Sequence, residues 1–510
     1  MTGAPTITRR TLLAGSLAAA ALPAAARAAD GAAPVADPFS PATVRDIARD
    51  LAARAYEPVP PVPPAWTELT YDQYRGIRFD QRQSPLNGTD APIRLDLFPP
   101  GLYFPRPVGV ALVEDGAART IDYRPDMFAR ADIVPPLPDV PGFSGLRVRA
   151  ENARRGGHTI YDEFAVFQGA SYFRMIPWGA IYGLSARGIA LGTGKPGEEF
   201  PDFTRFWVER PAPGARETVL HALLDGPTLT GAYRFALTPG DAEAICDVEA
   251  TLYARRETRE AGWAPLTSMF LFDGTNRARF EDWRPAVHDS DGLAIHNGQG
   301  ERIWRPLANP RTLQISAFLD ESPRGFGLSQ RSRRLSDFQD LEALYHRRPS
   351  LWVEPRGDWG RGHVHLVEIP ADREIYDNTV AYWLPDAPLV PGAPQRLAYR
   401  MRWRHDDPDA GVAQVVETRI GRGFDGRLTA AIDWGAHALL EAPLEDGVTH
   451  HVAVSKGEMS DGVLQRNPET GGARLTFAFE PGEARTVEMR AQLRRAGTLI
   501  SEVWLYRWTA

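Results

Sequence analysis

The pattern that most constrains the fold is a series of short runs in which apolar and polar residues alternate. In "AICDVEATLYARR" (244–256), every second residue from Cys246 to Leu252 is apolar and the residues between them are polar. Successive side chains of a strand point to opposite faces, so this run predicts an antiparallel strand with one face in water. Gly, Pro and Asp bound similar runs at 218–226 and 232–241. No alternation of strands with helices is found, which argues against a doubly wound parallel sheet.

Length and turn content indicate two β domains. The chain has 510 residues, more than one hydrophobic core usually serves. Its 46 glycines and 44 prolines suit short strands joined by many turns. The polar stretch "RHDDPDAG" (404–411) predicts a boundary. We therefore expect an all-β protein with a large antiparallel β-sandwich at 35–404 and an immunoglobulin-like β-sandwich at 411–510.

Ahead of the strands, residues 40–56 have the pattern of an amphipathic helix. Ser40 can cap the helix, Pro41 suits its first turn, and apolar residues from Val44 to Ala55 fall on one face. The next segment, "PVPPVPP" (58–64), predicts a stiff, extended connector.

The N-terminus has the features of an export signal. Arg9 and Arg10 precede a mildly apolar run that closes on the small-x-small pattern "ARA" at 26–28. The paired arginines favour a twin-arginine signal peptide over residues 1–28 rather than an ordinary secretion signal. The run is too short and too rich in alanine to be a good membrane span. We expect a periplasmic protein that does not span the membrane.

Composition and motifs exclude several functional classes. The net charge of -7 argues against nucleic-acid binding. The sequence contains no P-loop, no dinucleotide-binding fingerprint, no G-x-S-x-G and no H-E-x-x-H. His363 and His365 would share a strand face but lack a convincing third ligand, so we expect neither a metal nor an organic cofactor. The single cysteine, Cys246, excludes an internal disulfide.

Aromatic and short polar residues are concentrated in two turn-rich stretches. The chain has 13 Trp and 15 Tyr, and several of them lie within 284–306 and 345–370 among Gly, Asp, Asn and Arg. Flat rings can pack on sugar faces while short polar groups bond to hydroxyls, so these stretches suit a polysaccharide groove. Because most Trp in a protein of this size is core, composition alone leaves both interpretations open.

Long motifs then give a specific resemblance. They include "GASYFRMIPWGAIYGLSARGIAL" (169–191), "HDSDGLAIHNGQGERIWRPL" (288–307), "WVEPRGDWGRGHVHLVEIP" (352–370) and "YDNTVAYW" (376–383). In this order they resemble the periplasmic glucan biosynthesis protein G/D family (MdoG/OpgG and OpgD), and the twin-arginine signal favours the D branch. The resemblance implies a galactose-mutarotase-like sandwich followed by an immunoglobulin-like domain. It also implies a role in making osmoregulated periplasmic glucans, whose backbone is β-1,2-linked glucose.

The resemblance further implies an inverting pair of carboxyl groups. The family's general acid matches Asp377 in the "DN" motif, and its general base matches Asp289 in the "HDS" motif. A tyrosine on the loop that covers the cleft matches Tyr345. Further candidates for sugar contacts, for which a structural role is equally open, are Trp359, Arg187, Arg331 and Trp383.

The surroundings expected of the two aspartates agree with these roles. A strand at 373–383 would put Asp377 on one face with Ile375 and Trp383. Partial burial there would favour the protonated carboxyl that a general acid needs, whereas Asp289 among polar neighbours would stay ionised. Without the resemblance, an Asp at such a position most often caps a turn.

Two residues beside the proposed pair depart from the family pattern. Tyr376 stands where a small polar residue is usual, and Asp291 replaces the usual Asn. They leave open whether water attacks, giving hydrolysis, or a sugar hydroxyl attacks, giving transglycosylation. Two other functions also stay open. One is a non-catalytic glucan-binding scaffold that assists the inner-membrane glucan synthase, and the other is a mutarotase- or lyase-like enzyme on another polysaccharide.

Overall fold

Two large β-sheets dominate the computed structural model, which describes residues 36–155, 158–407 and 410–510. They confirm the predicted all-β fold class. The predicted signal peptide, residues 1–28, lies outside the described residues.

The larger sheet draws strands from both ends of the described chain. In their order across the sheet, its strands are Asp37–Pro38, Ala117–Thr120, Gly109–Glu114, Asp202–Glu209, Thr218–Asp225, Leu229–Thr238, Glu243–Ala254, Gln395–Arg404, Ser350–Pro355, Gly325–Ser329, Gly292–His296, Arg302–Pro306, Val503–Thr509, Thr486–Arg495 and Val448–Val454. Thr498–Leu499 pairs with Thr486–Arg495. Neighbours are mostly antiparallel, but Gly109–Glu114 is parallel to Asp202–Glu209 and Arg302–Pro306 is parallel to Val503–Thr509.

The second sheet packs against the larger one to form a sandwich. Its strands, again in order, are Gln314–Glu321, Arg361–Glu368, Thr379–Pro385, Ala261–Ser268, Ser185–Arg187, Tyr172–Met175, His158–Gln168, Gly145–Arg155 and Ile93–Phe98. Ala190–Leu191 pairs with Ala261–Ser268. Aromatic side chains join the two sheets: the ring of Phe167 lies 5.2 Å from that of Phe235, and Phe173 lies 6.0 Å from Trp403.

The strand predicted from the clearest alternation is confirmed. Glu243–Ala254 buries Cys246, Val248 and Leu252, whereas Glu249 faces water. This face pattern is what an antiparallel strand with one solvated side requires.

The predicted N-terminal helix is also confirmed, over Pro41–Ala52, so Ala55 lies beyond its end. It packs with Val44 and Ala48 on the outer face of the larger sheet. The remaining helices are short: Pro64–Thr67, Tyr71–Arg75 and Leu335–Phe338, with 3-10 turns at Gln81–Gln83, Pro125–Met127, Arg277–Arg279, Tyr345–Arg347 and Ala438–Leu440. Two small two-stranded sheets pair Ile77–Phe79 with Phe128–Arg130, and Phe270–Phe272 with Val287–His288.

The last hundred residues form a sandwich that shares a sheet with the rest of the chain. Its separate sheet contains Val415–Arg422, Leu428–Trp434, Gly472–Glu480, Glu458–Met459 and Val463–Asn467. A core that includes Trp434, Phe477 and Trp504 joins this sheet to the C-terminal strands of the larger sheet. Residues Ala36–Ala510 form one compact unit. The division into domains at 35–404 and 411–510 stays a prediction.

Candidate active site

A short strand segment separates the two aspartates that the sequence singled out. The backbone N–H of Asp289 donates to the carbonyl oxygen of Met269 at 2.8 Å. The N–H of Asn378, next to Asp377, donates to the carbonyl oxygen of Ser268 at 3.0 Å. The chains that carry the aspartates therefore flank one strand from opposite sides. Since neighbouring strands lie about 4.8 Å apart, their backbones are roughly 10 Å from each other.

Asn378 fixes the backbone beside Asp377. Its side-chain amide is buried, accepts a hydrogen bond from the N–H of Phe270 at 2.8 Å, and donates to the carbonyl of Phe270 at 2.9 Å. It also donates to the carbonyl of Ile369 at 3.0 Å. In the "DN" motif, Asn378 thus anchors the loop on which Asp377 lies.

Asp377 itself is exposed, and this corrects the environment expected for it. The strand begins at Thr379 (Thr379–Pro385), so Asp377 lies in the preceding loop and does not alternate with Trp383. Ile375, the expected apolar neighbour, is exposed as well. The expectation of a buried apolar face around Asp377 is therefore wrong.

Asp289, in contrast, is 4% exposed. Arg348 donates a hydrogen bond to its Oδ1. Burial raises the pKa of Asp289 to about 6; Arg348 opposes this shift, and the negative charge of Asp377 adds to it. The two aspartates therefore lie within electrostatic reach of each other.

The polar residues around Asp289 in the sequence do not solvate it. The Nδ1 of His288 lies 2.9 Å from the Oε1 of Gln330. The hydroxyl of Ser290 bonds to that of Ser268 at 2.8 Å. The expected polar setting for Asp289 is wrong because these side chains are engaged with other residues.

Tyr345 packs against the guanidinium of Arg348. It is buried, and its ring centroid lies 4.4 Å from the guanidinium carbon of Arg348. Its hydroxyl donates to the Oε2 of Glu374 at 2.9 Å. Burial, with the charge of Glu374, raises the pKa of Tyr345. Tyr345 is thus a packed support beside the site in this conformation.

Four charged residues anchor the loops around Tyr345. Arg284 pairs with Asp282 at 2.9 Å, with Asp340 at 2.8 Å and with Glu374 at 2.7 Å. We call this set the Arg284 cluster. Because the three carboxylates come from separate segments, one guanidinium ties together the loops before Asp289, before Tyr345 and before Asp377.

Arg187 is buried in the second sheet, beside Thr267 and Tyr172. Arg187 donates to the hydroxyl of Thr267 at 2.8 Å, and its guanidinium carbon lies 4.8 Å from the ring centroid of Tyr172. Burial raises the pKa of Tyr172, and the charge of Asp377 is among the further causes. Arg187, a predicted sugar contact, also pairs with Glu198 at 3.0 Å, so its donors are occupied and its position supports a structural role.

Arg331, another predicted sugar contact, joins the two parts of the chain. It pairs with Asp407 and Glu502, both at 2.7 Å, and its guanidinium carbon lies 3.5 Å from the ring centroid of Trp304. These bonds occupy the donors that a sugar would need, so its position supports a structural role.

The two predicted tryptophans are core residues. Trp383 has no accessible surface, and Trp359 packs edge-on to Trp263 at 5.6 Å and to Tyr399 at 5.9 Å. An enclosed ring has no face to offer a sugar, so their placement does not support the predicted contacts.

Sequence reasoning missed Arg348, Glu374 and Arg284, which surround the aspartates. Arg174 was missed too, and its positive charge lowers the pKa of Asp289. Arg348 lies three residues after Tyr345, and this proximity was the one signal available. Nothing in the sequence tells which of the many loop arginines meets a buried carboxylate 59 positions away.

The described residues contain no group of three or more His, Cys, Asp or Glu side chains arranged to hold a metal ion. His363 and His365 bond to each other, with 3.0 Å between the Nε2 of the first and the Nδ1 of the second. Among the described residues, no helix is both long enough and apolar enough to cross a membrane.

Relatives match the chain over most of its length. A protein named glucans biosynthesis protein G from Rhodopseudomonas palustris is 46% identical over 475 residues, covering 92% of this chain and 93% of the relative. A protein of the same name from Bradyrhizobium diazoefficiens is 43% identical over 506 residues, covering 98% and 99%. These names belong to the G branch, so they do not support the predicted preference for the D branch.

Similarity to solved structures is low. A GH36 α-galactosidase from Geobacillus stearothermophilus covers 51% of this chain and 39% of its own, with 9% identity and a TM-score of 0.24.

The family model described as "Periplasmic glucan biosynthesis protein, MdoG" matches residues 39–508. That span includes both sandwiches and every residue of the candidate site. The chain therefore belongs to the MdoG family of periplasmic glucan biosynthesis proteins.

Proposed function

We propose that this chain is a periplasmic enzyme that acts on β-1,2-linked glucan as an inverting glucanase or transglycosylase, with Asp377 and Asp289 as its catalytic pair. The observation that carries the proposal is that the backbones carrying the two aspartates flank the extended segment at Ser268 and Met269, and that the charge of Asp377 raises the pKa of Asp289. Inverting glycosidases hold their two carboxyl groups about 6.5–9.5 Å apart, which leaves room for the attacking water. A backbone separation of roughly 10 Å is compatible with that gap.

Asp289 suits the role of general base. Arg348 stabilises its ionised form, and a pKa of about 6 leaves it mostly ionised at neutral pH. A base in this state can accept a proton directly or through a water chain.

Asp377 has the complementary role of general acid. It is open to water in the free protein, so a bound sugar must exclude that water and thereby favour the protonated carboxyl. The anchoring of Asn378 keeps the acid in place while the polymer moves past it.

The proposed reaction is a single displacement. Asp289 takes a proton from water, or from a sugar hydroxyl in the transglycosylase case, and that oxygen attacks the anomeric carbon. The bond from this carbon to the leaving oxygen breaks on the opposite face as Asp377 donates its proton to that oxygen, so the configuration inverts.

Tyr172, in the second sheet, is partly exposed, and the charge of Asp377 contributes to its raised pKa. Its ring is therefore placed to pack on a sugar of the bound polymer beside the catalytic pair.

A second candidate is a glucan-binding scaffold without turnover that works beside the inner-membrane glucan synthase. One observation favours it: Asp289 is buried and paired with Arg348, as in a structural ion pair. Such a protein would hold glucan without changing its length.

Product analysis on linear β-1,2-glucan separates the two candidates. We expect the wild-type protein to shorten or cyclise the polymer, and Asp377→Asn and Asp289→Asn to abolish the reaction while keeping the fold. Asp126→Asn is the matched control because it removes an exposed carboxylate that forms a surface ion pair with Arg124, at 3.1 Å. Glucan that is bound by the wild-type protein but unchanged in length would support the scaffold instead.

A further inference from the structure

Exposed apolar side chains are grouped around the Arg284 cluster. Trp283 precedes Arg284, Leu341 follows Asp340, and Ile375 follows Glu374. All three side chains are largely exposed. Since Asp340 and Glu374 both bind the Arg284 guanidinium, the chain segments that carry the three apolar residues come together at the surface around this cluster.

Tyr376 extends this surface to the proposed acid. It directly precedes Asp377 and is 51% exposed, and Trp283 is 71% exposed. Within the described parts of the chain, neither side chain has a hydrogen-bond partner or an aromatic neighbour. Packing therefore does not account for either ring, although Trp is usually one of the more buried residue types.

We propose that Tyr376 and Trp283 form an aromatic subsite for a glucosyl ring on the leaving-group side of the scissile bond. This inference rests on the proposed function. An aromatic ring offers a flat apolar face to a pyranose ring, and Glu374, the most exposed carboxylate of the Arg284 cluster, can accept a hydrogen bond from a sugar hydroxyl.

The side of the bond follows from the chemistry of Asp377. A general acid contacts the leaving oxygen, so the sugar next to it belongs to the departing chain. In an inverting reaction the attacking oxygen arrives on the opposite face, near Asp289. A ring carried by the residue adjacent to Asp377 is therefore placed to hold the departing sugar.

The subsite gives a function to Tyr376, which departs from the family pattern. A small polar residue at position 376 offers no stacking face, whereas Tyr376 does. We expect the ring to strengthen binding of the departing chain and so to fix how many glucose units it must contain.

The test compares binding of short linear β-1,2-glucan chains to Asp377→Asn with binding to the same variant carrying Tyr376→Ser or Trp283→Ala. Each added change should weaken binding roughly five- to tenfold, the loss expected of one stacked ring. Tyr376→Phe keeps the ring and should keep the affinity. Phe424→Ala, which removes a fully exposed aromatic residue outside the site, should leave it unchanged.

Thermal melting of every variant checks the fold, and both target residues are exposed enough for the fold to tolerate their loss. Equal affinity of the Tyr376→Ser and parent proteins, or no glucan binding by the parent, would overturn the subsite. Because binding is measured without turnover, the two proposals fail separately. Weaker binding by Tyr376→Ser, in a protein whose wild type leaves glucan intact, would keep the aromatic glucan contact but reject the enzymatic function and, with it, the assignment to the leaving-group side.

Discussion

Arg348 donates a hydrogen bond to the Oδ1 of Asp289, and this ion pair is mostly shielded from water. The pairing offsets part of the cost of burying a carboxylate. Even so, the pKa of Asp289 is raised to about 6, because burial outweighs the attraction of the guanidinium. A carboxyl group that titrates near neutral pH is suited to proton transfer.

Removing the guanidinium should destabilise the protein and disturb Asp289. Arg348→Met removes a charge that lowers the pKa of Asp289, so in the variant this carboxyl should titrate above pH 6 and be buried without a partner once ionised. We expect a loss of about 3 kcal/mol in the free energy of unfolding at pH 8. The loss should shrink at pH 5, where Asp289 is protonated. Urea unfolding at both pH values measures it. Arg82→Met, which breaks an exposed pair with Asp80, should cost less than about 1 kcal/mol at either pH.

The pH profile of kcat/KM should distinguish base from acid at Asp289. A base must be ionised, so the rate should rise as the pH passes through about 6, and it should fall again at higher pH because the general acid, Asp377, must be protonated. If Asp289 were the acid, the rate would instead fall through the same pH. Initial rates on linear β-1,2-glucan from pH 4 to 9 give the profile, and a rise centred near pH 6 is the expected result.

Asn378→Ala should remove the hydrogen bonds that anchor the loop carrying the proposed acid, Asp377. The substitution leaves the N–H of Phe270 and two carbonyl groups without their buried partner, so we expect a loss of about 2–4 kcal/mol in the free energy of unfolding. Activity should fall further than the unfolded fraction explains, because the Asp377 loop loses its anchor. Asn87→Ala, which removes an exposed bond to the carbonyl of Arg82, is the control and should be nearly neutral.

Trp383→Phe should affect stability rather than glucan binding. The ring is fully enclosed, so a smaller ring leaves a cavity and costs about 1–3 kcal/mol. Affinity for glucan should stay within twofold of the wild-type value in a binding titration on the folded protein. A large loss of affinity with no loss of stability would restore the sugar contact that the sequence suggested.

The fold class was accessible from the sequence because alternation is a local signal. The run around Cys246 alternates cleanly, and its strand, Glu243–Ala254, has the expected wet and dry faces. The helix that begins at Pro41 was equally readable from its cap and apolar stripe. The sheet that the two sandwiches share could not be predicted from the sequence, because the pairing of Ile303 with Val503 joins residues 200 positions apart.

The candidate site was only partly accessible. Family motifs identified Asp377 and Asp289. The sequence predicted partial burial for Asp377 and a polar setting for Asp289, whereas Asp377 is exposed and Asp289 is buried. Whether the strand starts at residue 373 or at Thr379 depends on where Ala261–Ser268 offers partners, which no local pattern reveals. The contact of Arg348 with Asp289 could not be predicted for the same reason, since only the tertiary fold brings the two residues together.

The most direct test of the catalytic pair follows the anomeric configuration and chain length of the products by NMR when linear β-1,2-glucan is added. The account predicts that newly formed reducing ends, or new linkages in a transfer product, first appear in the α configuration with the wild-type protein. It also predicts no products with Asp377→Asn or Asp289→Asn. Retained β configuration, or undiminished product formation by Asp377→Asn, would contradict it.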